Sequence, residues 1–557
     1  MAACVFASHP LVQMGFDDDF SYIWSARVLA DTGHIVYNGW AAAMLGWQLY
    51  WGALFIRLFG FSFPIVNVSI LLVAMVAAAL VQRIYVRLGS NEWNATIATL
   101  AVVLSPLFLP LSFSYMSDIP GFFAILVCLY GCVRALQAES DRATIGWLIF
   151  AGVSNAIGGT ARQLSWFGVL LMVPCTVWII RRRRGAVTIG TAIWLSSIIF
   201  IFFCTQWFKH QPYAISLSLL PRAHHFAFHS WLAILLYVLP VTIGFLARYP
   251  IRKRWARIQG AIAAGALAIW ALSLVLSHRS WRWLAPFSRD WLTDSGLHRS
   301  TILGENPRVF PLWLEVVTTA VTFAAFLAFL ICFFNAQRMK EREEPAGRYK
   351  VSDQTLIVML GPFTAAYLVL IGTRFAVYDR YFIPVIFVAF IVLLRFYERR
   401  IAARLPMWSI ACVILGAVVA VCTLHDYIAA ERASLAAANE LQAAGIPRKL
   451  ISARFEYDGW SQLQLAGRLN VRFVAASNLG VDPHTVIPSD ADQTVENKGP
   501  LARCLPWFAS LFPAVHARYQ FSYSRSTCLD ESQFPPFEYD TWLPPHRRKI
   551  YILSTQQ

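Results

Sequence analysis

The chain has 557 residues, of which 57% are hydrophobic, 15% aromatic and only 14% charged. With a mean hydropathy of +0.53 it carries more apolar surface than a water-soluble fold can bury, and repeated apolar runs of about 20 residues make it a polytopic helical membrane protein. The formal charge of +16 is not a nucleic-acid footprint, because the basic residues fall in short loops between apolar runs, where they set topology.

No complete spanning helix precedes residue 17. The stretch before it is too short, His9-Pro10 interrupts it, and it lacks the basic start and cleavage site of a signal peptide. The expectation is that a first membrane helix is missing upstream. Next comes Gly15-Phe16-Asp17-Asp18-Asp19-Phe20-Ser21-Tyr22, which runs into a helical pattern over 18–29 and places Asp18 and Tyr22 on one face at i,i+4. Crowded carboxylates repel, so they need a cation, a proton or a cationic substrate nearby. The alternative is a solvated acidic helix start favoured by the helix dipole.

A turn at 33–40 leads to a short aromatic-rich interfacial helix at 45–59. Membrane spans are expected at 63–82, 93–113, 119–136, 144–160, 164–180, 186–207, 231–248, 258–277, 311–335, 356–373, 381–395 and 407–425, giving about 12–13 transmembrane helices with the missing first one. Basic connections recur at every second position: 83–87, 134–142, 181–184, 248–257, 338–350 and 395–404. By the positive-inside rule these face the cytoplasm. The connections at 112–118, 161–163, 209–230, 278–308 and 374–380 therefore face outward, together with 17–19 and everything after 425.

Beyond residue 425 the chain changes character. A helix at 429–444 stops at Gly445, and β-like runs at 450–455, 471–476, 519–523 and 549–553 are separated by Pro, Gly, Asn and Asp. The expected organisation is an N-terminal segment (1–62), a transmembrane helical domain (63–425) and an outward-facing soluble α/β domain (426–557). Cys504 and Cys528 are the cysteines in the soluble part and the candidates for a disulfide.

Several polar residues gather on the outward side. Asp118, in Ser117-Asp118-Ile119-Pro120, reads as a helix cap or as a partner of the acidic cluster. Arg162 either snorkels or pairs with a lipid phosphate. Arg374, Asp379 and Arg380, in a turn with Tyr378 and Tyr381, form an internal salt bridge or contact substrate. Of the long outward loops, one contains His224 and His225, without regular metal-ligand spacing. The other contains Trp281, Trp283 and Trp291, which suit an interfacial belt or stacking on a sugar. Phe455-Glu456-Tyr457-Asp458-Gly459-Trp460, in the soluble part, combines acids with aromatic faces that suit a folded core or a sugar.

These motifs, in this order, resemble the integral-membrane GT-C glycosyltransferases: the group of protein O-mannosyltransferases, lipid A aminoarabinose transferases and RgtA/B/C/D-like enzymes. Asp18-Asp19-Phe20-Ser21-Tyr22 resembles the family's D-[DE]-x-x-Y motif, with Asp18 in the place of its essential carboxylate. Ser117-Asp118-Ile119-Pro120 is similar to its second acidic motif, and Tyr378 to Pro384 to its arginine-tyrosine-proline segment. Arg162 corresponds by position alone.

The resemblance implies a GT-C-like fold and a hexosyl or pentosyl transferase of the cytoplasmic membrane. It implies a polyprenyl-phosphate-linked sugar as donor, a lipid, glycan or protein acceptor, and inversion at the outer membrane face. Asp18, Asp19 and Asp118 are then the expected catalytic carboxylates. Tyr22, Arg162, Arg374, Asp379, Arg380, His224 and His225 are expected to bind substrate. A divalent cation is compatible with the acidic cluster, which does not establish one. The partners are then membrane lipids, donor and acceptor, with no nucleic acid. A secondary transporter or glycolipid flippase is the rival reading, since ionisable groups in membrane helices mark transport paths. A scaffold presenting the soluble domain leaves the acidic cluster unexplained.

Overall fold

The structure, a computed structural model, describes residues 2–215, 227–248, 291–298, 301–304, 306–335, 351–372, 377–469, 504–506, 508–525 and 529–555. Among the described residues, seven helical segments are long and apolar enough to cross a membrane. They are α4 (Phe63–Arg87), α7 (Asp118–Gln137), α10 (Arg184–Lys209), α12 (Leu312–Phe334), α13 (Asp353–Gly372), the segment Asp379–Arg400 that contains α14 (Ile383–Arg400), and α15 (Met407–Ala443). Ahead of them lie α1 (Ala2–Ser8), α2 (Asp19–Thr32) and α3 (Gly46–Phe59). The helix start of α4 follows from local chemistry: the Ser62 hydroxyl accepts from the Ile65 N–H, and Pro64 sits where no intrahelical donor is needed.

Two expected spans are broken, each for an identifiable reason. The run at 93–113 divides into α5 (Glu92–Val103) and the one-turn α6 (Phe108–Leu111). Pro106 lacks an N–H and disfavours helix just before it, and the Ser105 hydroxyl bonds to Val102 O and Phe108 N at the break. The run at 164–180 follows α8 (Asp141–Gly158) and opens with a 3₁₀ turn (Gln163–Trp166) and a π turn (Gly168–Met172) before α9 (Val173–Ile179). Asn155 accounts for the irregularity: its Oδ1 accepts from Val169 N at 2.8 Å while its Nδ2 donates to Ala124 O at 2.9 Å. The span expected at 231–248 falls within α11 (Ala227–Arg248), whereas 258–277 lies outside the described residues.

The alternation of loops appears as two chemically distinct ends. At one, Arg395 reaches Leu88 O, Val351 O and Asp353, tying together three connections. At the other, the turn at 17–19 meets the chain just before α7, the hairpin of β1 (Leu292–Thr293) and β2 (Gly296–Leu297), and the 3₁₀ turn Asp379–Phe382, while the turn after α8 meets the start of α7 through Arg162 and Asp118.

The helix expected at 429–444 is not separate. With no breaker between His425 and Ala429, it merges with the last span into α15, a continuous 37-residue helix. Beyond it, β3 covers only Ile451–Ser452, and the chain enters α16 (Phe455–Ala466), so Phe455 to Trp460 is helical. With β5 at Asp530–Glu531, the sheet runs β3-β4-β7-β5, and β6 also pairs with β7; β3 and β4 are parallel and the other pairs antiparallel. Strands β4 (Tyr519–Ser522) and β7 (Pro545–Ser554) correspond to expected runs, whereas β6 (Phe537–Trp542) was not anticipated. Residues 471–476 lie outside the described residues. Cys504 is disulfide-bonded, and Cys528 lies outside the described residues.

Aromatic rings lock the C-terminal domain onto α2. Phe20 meets Phe455 edge-on at 5.5 Å, and Trp24 meets Trp460 at 5.3 Å. Gly459 makes this approach possible, because a Cβ there would run into the Phe20 ring. Gly459→Ala should cost about 1–3 kcal/mol by overpacking. Thermal unfolding of the purified protein should show a lowered midpoint, partly restored by adding Phe20→Leu.

Candidate active site

Three consecutive aspartates serve three different purposes. Asp17 has a left-handed backbone (φ +57), which turns its carboxylate toward partners distant in sequence. Its Oδ2 lies 3.0 Å from Nη1 of Arg380, and its Oδ1 lies 3.2 Å from Nε2 of His298. Asp18, at the start of α2, accepts from the Trp40 indole N–H at 2.8 Å and lies 3.8 Å from Nη2 of Arg380. Asp19 is fully buried; its Oδ1 accepts from Phe16 N at 2.6 Å and its Oδ2 from Tyr115 N at 2.8 Å. It therefore pins the acidic turn to the chain just before α7.

Arg380 is the central cation. Its guanidinium packs over the rings of Trp291, Tyr378 and Tyr381 at 4.9, 5.0 and 5.7 Å, and such stacking is strongest where water is excluded. Its neighbour Asp379 accepts from Trp291 N at 2.7 Å, Leu292 N at 3.3 Å, Arg380 N at 2.9 Å and the Tyr237 hydroxyl at 2.9 Å. Asp379 thus tethers β1 and α11 to the turn that presents Arg380.

Asp118 begins α7 and pairs with Arg162 at 2.6 Å. Gly121 leaves room for this pair, since a Cβ there would crowd the Arg162 side chain. Arg162 also lies over the Tyr381 ring at 4.8 Å, linking this pair to Arg380. The second oxygen of Asp118, the Nε of Arg380 and Nδ1 of His298 are buried without hydrogen-bond partners among the described residues. Tyr22 stands one helical turn from Asp18 and is buried.

The structure thus brings together Asp18, Asp19, Tyr22, Asp118, Arg162, Asp379 and Arg380. His224, His225 and Arg374 lie outside the described residues. Sequence reasoning missed His298 and Trp40, and it treated Asp17 only as a member of the acidic run. No local pattern marks His298, whereas Trp40 lies in a recognised turn shortly after the motif.

The electrostatics separate Asp17 from Asp18. Burial disfavours the charged form of Asp17, but His298 and Arg380 outweigh it and hold this carboxyl well below the usual range. Burial and the adjacent Asp17 charge push Asp18 up to about 7. For His298, burial opposes protonation, yet the Asp17 carboxylate carries it above the ordinary imidazole value. The Asp18 side chain retains 24% exposure, against 4% for that of Arg380, so Asp18 is the more accessible of the two. Among the described residues no three His, Cys, Asp or Glu side chains are grouped as ligands for a metal ion.

An apolar groove of about 180 Å³ runs between α5, α11, α12 and α15, lined by Leu104, Leu236, Tyr237, Leu292, Phe310 and Val419 among others. Tyr237 belongs both to this groove and to the Asp379 tether. The groove therefore ends beside the turn that carries Arg380.

The division of labour is testable. Asp19→Ala leaves two buried backbone N–H groups without acceptors, each costing about 1–3 kcal/mol. Its unfolding midpoint in detergent should drop by several degrees, whereas that of Asp18→Asn should stay close to the parent.

A family model described as "Dolichyl-phosphate-mannose-protein mannosyltransferase" matches residues 63–251, less than half of the chain. Over that stretch the resemblance to lipid-linked-sugar glycosyltransferases is met. The matched stretch contains Asp118 and Arg162 but not the acidic turn or Arg380. No curated protein matches the chain. Two solved structures are similar to it: ArnT from Cupriavidus metallidurans in the apo state, with a TM-score of 0.39, and the same protein bound to undecaprenyl phosphate, with a TM-score of 0.40. Each is 12% identical, and each match covers 100% of this chain and 98% of the other. At such scores the likeness decides neither fold nor chemistry.

Proposed function

We propose that this chain is a GT-C-type membrane glycosyltransferase that moves a monosaccharide from a polyprenyl-phosphate donor to an acceptor hydroxyl. The observation that carries this reading is Asp18: a partly accessible carboxylate beside a buried guanidinium, with a proton affinity near neutrality. An alcohol is a poor nucleophile at neutral pH, and a positioned base works best when its pKa lies near the operating pH. The family match over 63–251 supports a lipid-phosphate-linked donor.

In the reaction we infer, Asp18 takes the acceptor hydroxyl proton as that oxygen bonds to the anomeric carbon. The bond from this carbon to the lipid phosphate breaks, and its electron pair leaves with the phosphate. One displacement inverts the anomeric centre and needs no covalent enzyme intermediate. Arg380 and Arg162 offset charge developing on the departing phosphate, the kind of preorganised stabilisation that contributes most in a dry site. Asp118, with its unpartnered oxygen, orients the acceptor, and Tyr22 lines the same face. Asp19 and Asp379 act as braces. The lipid chain lies in the apolar groove that ends at Tyr237. The site faces outward from the cytoplasmic membrane, following the loop-charge pattern.

The test is turnover of a panel of polyprenyl-phosphate sugars by membranes containing the parent or Asp18→Asn, beginning with the mannose donor that the family match suggests. One donor should be consumed, with at least a thousandfold loss in the variant. Equal consumption by both would remove Asp18 from the base role, and consumption of none would remove the transferase reading.

A base with a raised pKa is inactive while protonated. The rate should therefore rise about tenfold per pH unit below about 7 and level off above it. A flat initial-rate profile from pH 5.5 to 8.5 would contradict this assignment.

A further inference from the structure

We propose that Asp17 and His298 are positioning residues that hold the Arg380 guanidinium away from Asp18, keeping Asp18 free to accept a proton. This rests on Asp18 being the base. Arg380 stands between two carboxylates but is shared unequally: 3.0 Å from Asp17 and 3.8 Å from Asp18. Tighter pairing with Asp18 would neutralise the base and occupy the oxygen that must meet the acceptor.

The unequal sharing has a structural cause. Both Asp17 (φ +57) and His298 (φ +49) have left-handed backbones, a conformation that non-glycine residues seldom adopt and that persists where the surroundings enforce it. His298 bonds through Nε2 to the Asp17 oxygen that Arg380 does not use, so the carboxylate is held from both sides. Trp291, stacked beneath Arg380, also lies against His298, with ring centres 5.8 Å apart. Movement of the guanidinium toward Asp18 therefore breaks an ion pair and shifts a ring packed on both partners.

Among the described residues, the charges around this device are few. Asp18 faces Asp17, Arg380 and His298, with the Trp40 N–H as a donor and the Tyr22 and Tyr378 phenols nearby. Arg380 also feels Asp118 and Tyr381. His298 faces Asp17, Arg380 and Glu456, and Asp19 lies close enough to sense Asp17. Asp17 supplies the nearest negative charge to Asp18, and His298 supplies the positive charge that moderates it.

Two substitutions should act in opposite directions. Asp17→Asn removes that negative charge and releases Arg380 toward Asp18. Both effects weaken proton binding by Asp18. The midpoint of the rate–pH profile should fall by about one unit, a tenfold change in proton affinity, and the plateau rate should drop. His298→Gln leaves the Asp17 charge unmoderated and draws Arg380 closer to it, so the midpoint should rise. Asp17→Glu, which restores the charge, should return the midpoint toward the parent value. Residues that merely stabilise the fold would lower the rate without moving the midpoint.

Unchanged midpoints in folded variants overturn the proposal. If Asp17→Asn does not fold, His298→Gln decides alone, and no upward movement overturns it. A second readout does not depend on turnover: the infrared carbonyl band of protonated Asp18, assigned by its loss in Asp18→Asn, followed against pH in purified protein. Opposite shifts of this band in the two variants support the positioning role even if no donor is turned over, in which case the transferase reading fails separately. A band whose midpoint is the same in both variants and the parent overturns the positioning role.

Discussion

A guanidinium removed from water is costly unless its charge is matched and its N–H groups are engaged. Arg380, whose side chain is 4% exposed, imposes this constraint on the molecule. Matching it requires a carboxylate delivered from far along the chain, which explains why the acidic turn packs against the segment before α14. Enclosing it requires flat, electron-rich surfaces, which Trp291, Tyr378 and Tyr381 provide. The Asp379 tether fixes the direction from which the cation arrives. The acidic turn, the β1–β2 hairpin and α11 thus converge on one charge.

The same constraint explains the different environments of three adjacent aspartates. A run of like charges at one site is unfavourable, and the fold disperses it. Asp17 is neutralised by ion pairing, Asp19 is consumed by backbone donors, and Asp18 keeps the most exposed side chain of the three. The chemistry of the site follows from this separation. The second ion pair, Asp118 with Arg162, is joined to the first through the Tyr381 ring, against which both arginines lie.

Much of this plan was legible in the sequence. Apolar run length and the alternation of basic loops placed Asp18, Asp118, Arg162 and Arg380 at one end, because hydropathy and loop charge are additive over local stretches. Other features depend on contacts that local patterns do not encode. The Asp17–His298 bond joins residues 281 positions apart through two left-handed turns, and nothing beside either residue announces it. Adjacent aspartates look alike as letters, and only the position of Tyr115 N makes Asp19 a brace. The breaks at Pro106 and Asn155 were hidden within apolar runs because hydropathy does not register a missing donor or an intruding amide. Strand β6, with Glu538 and Asp540 on its outer face, is polar enough to pass for a loop, although Tyr539 and Thr541 are buried.

The uninterrupted α15 gives the protein a mechanical property as well as a connection. A helix of 37 residues is about 55 Å long, and about half of it stands beyond the apolar part of the span. Without a hinge, its two halves tilt together. Lipid bilayers of different thickness impose different helix tilts. A change of about 5° would displace the far end by about 5 Å relative to the near end, more than the spacing that separates a good hydrogen bond from none. The C-terminal sheet domain packs on the half beyond the span and also on α2, directly behind the acidic turn. A change of bilayer thickness would therefore act on the alignment of the carboxylates and make the surrounding lipid a parameter of the site.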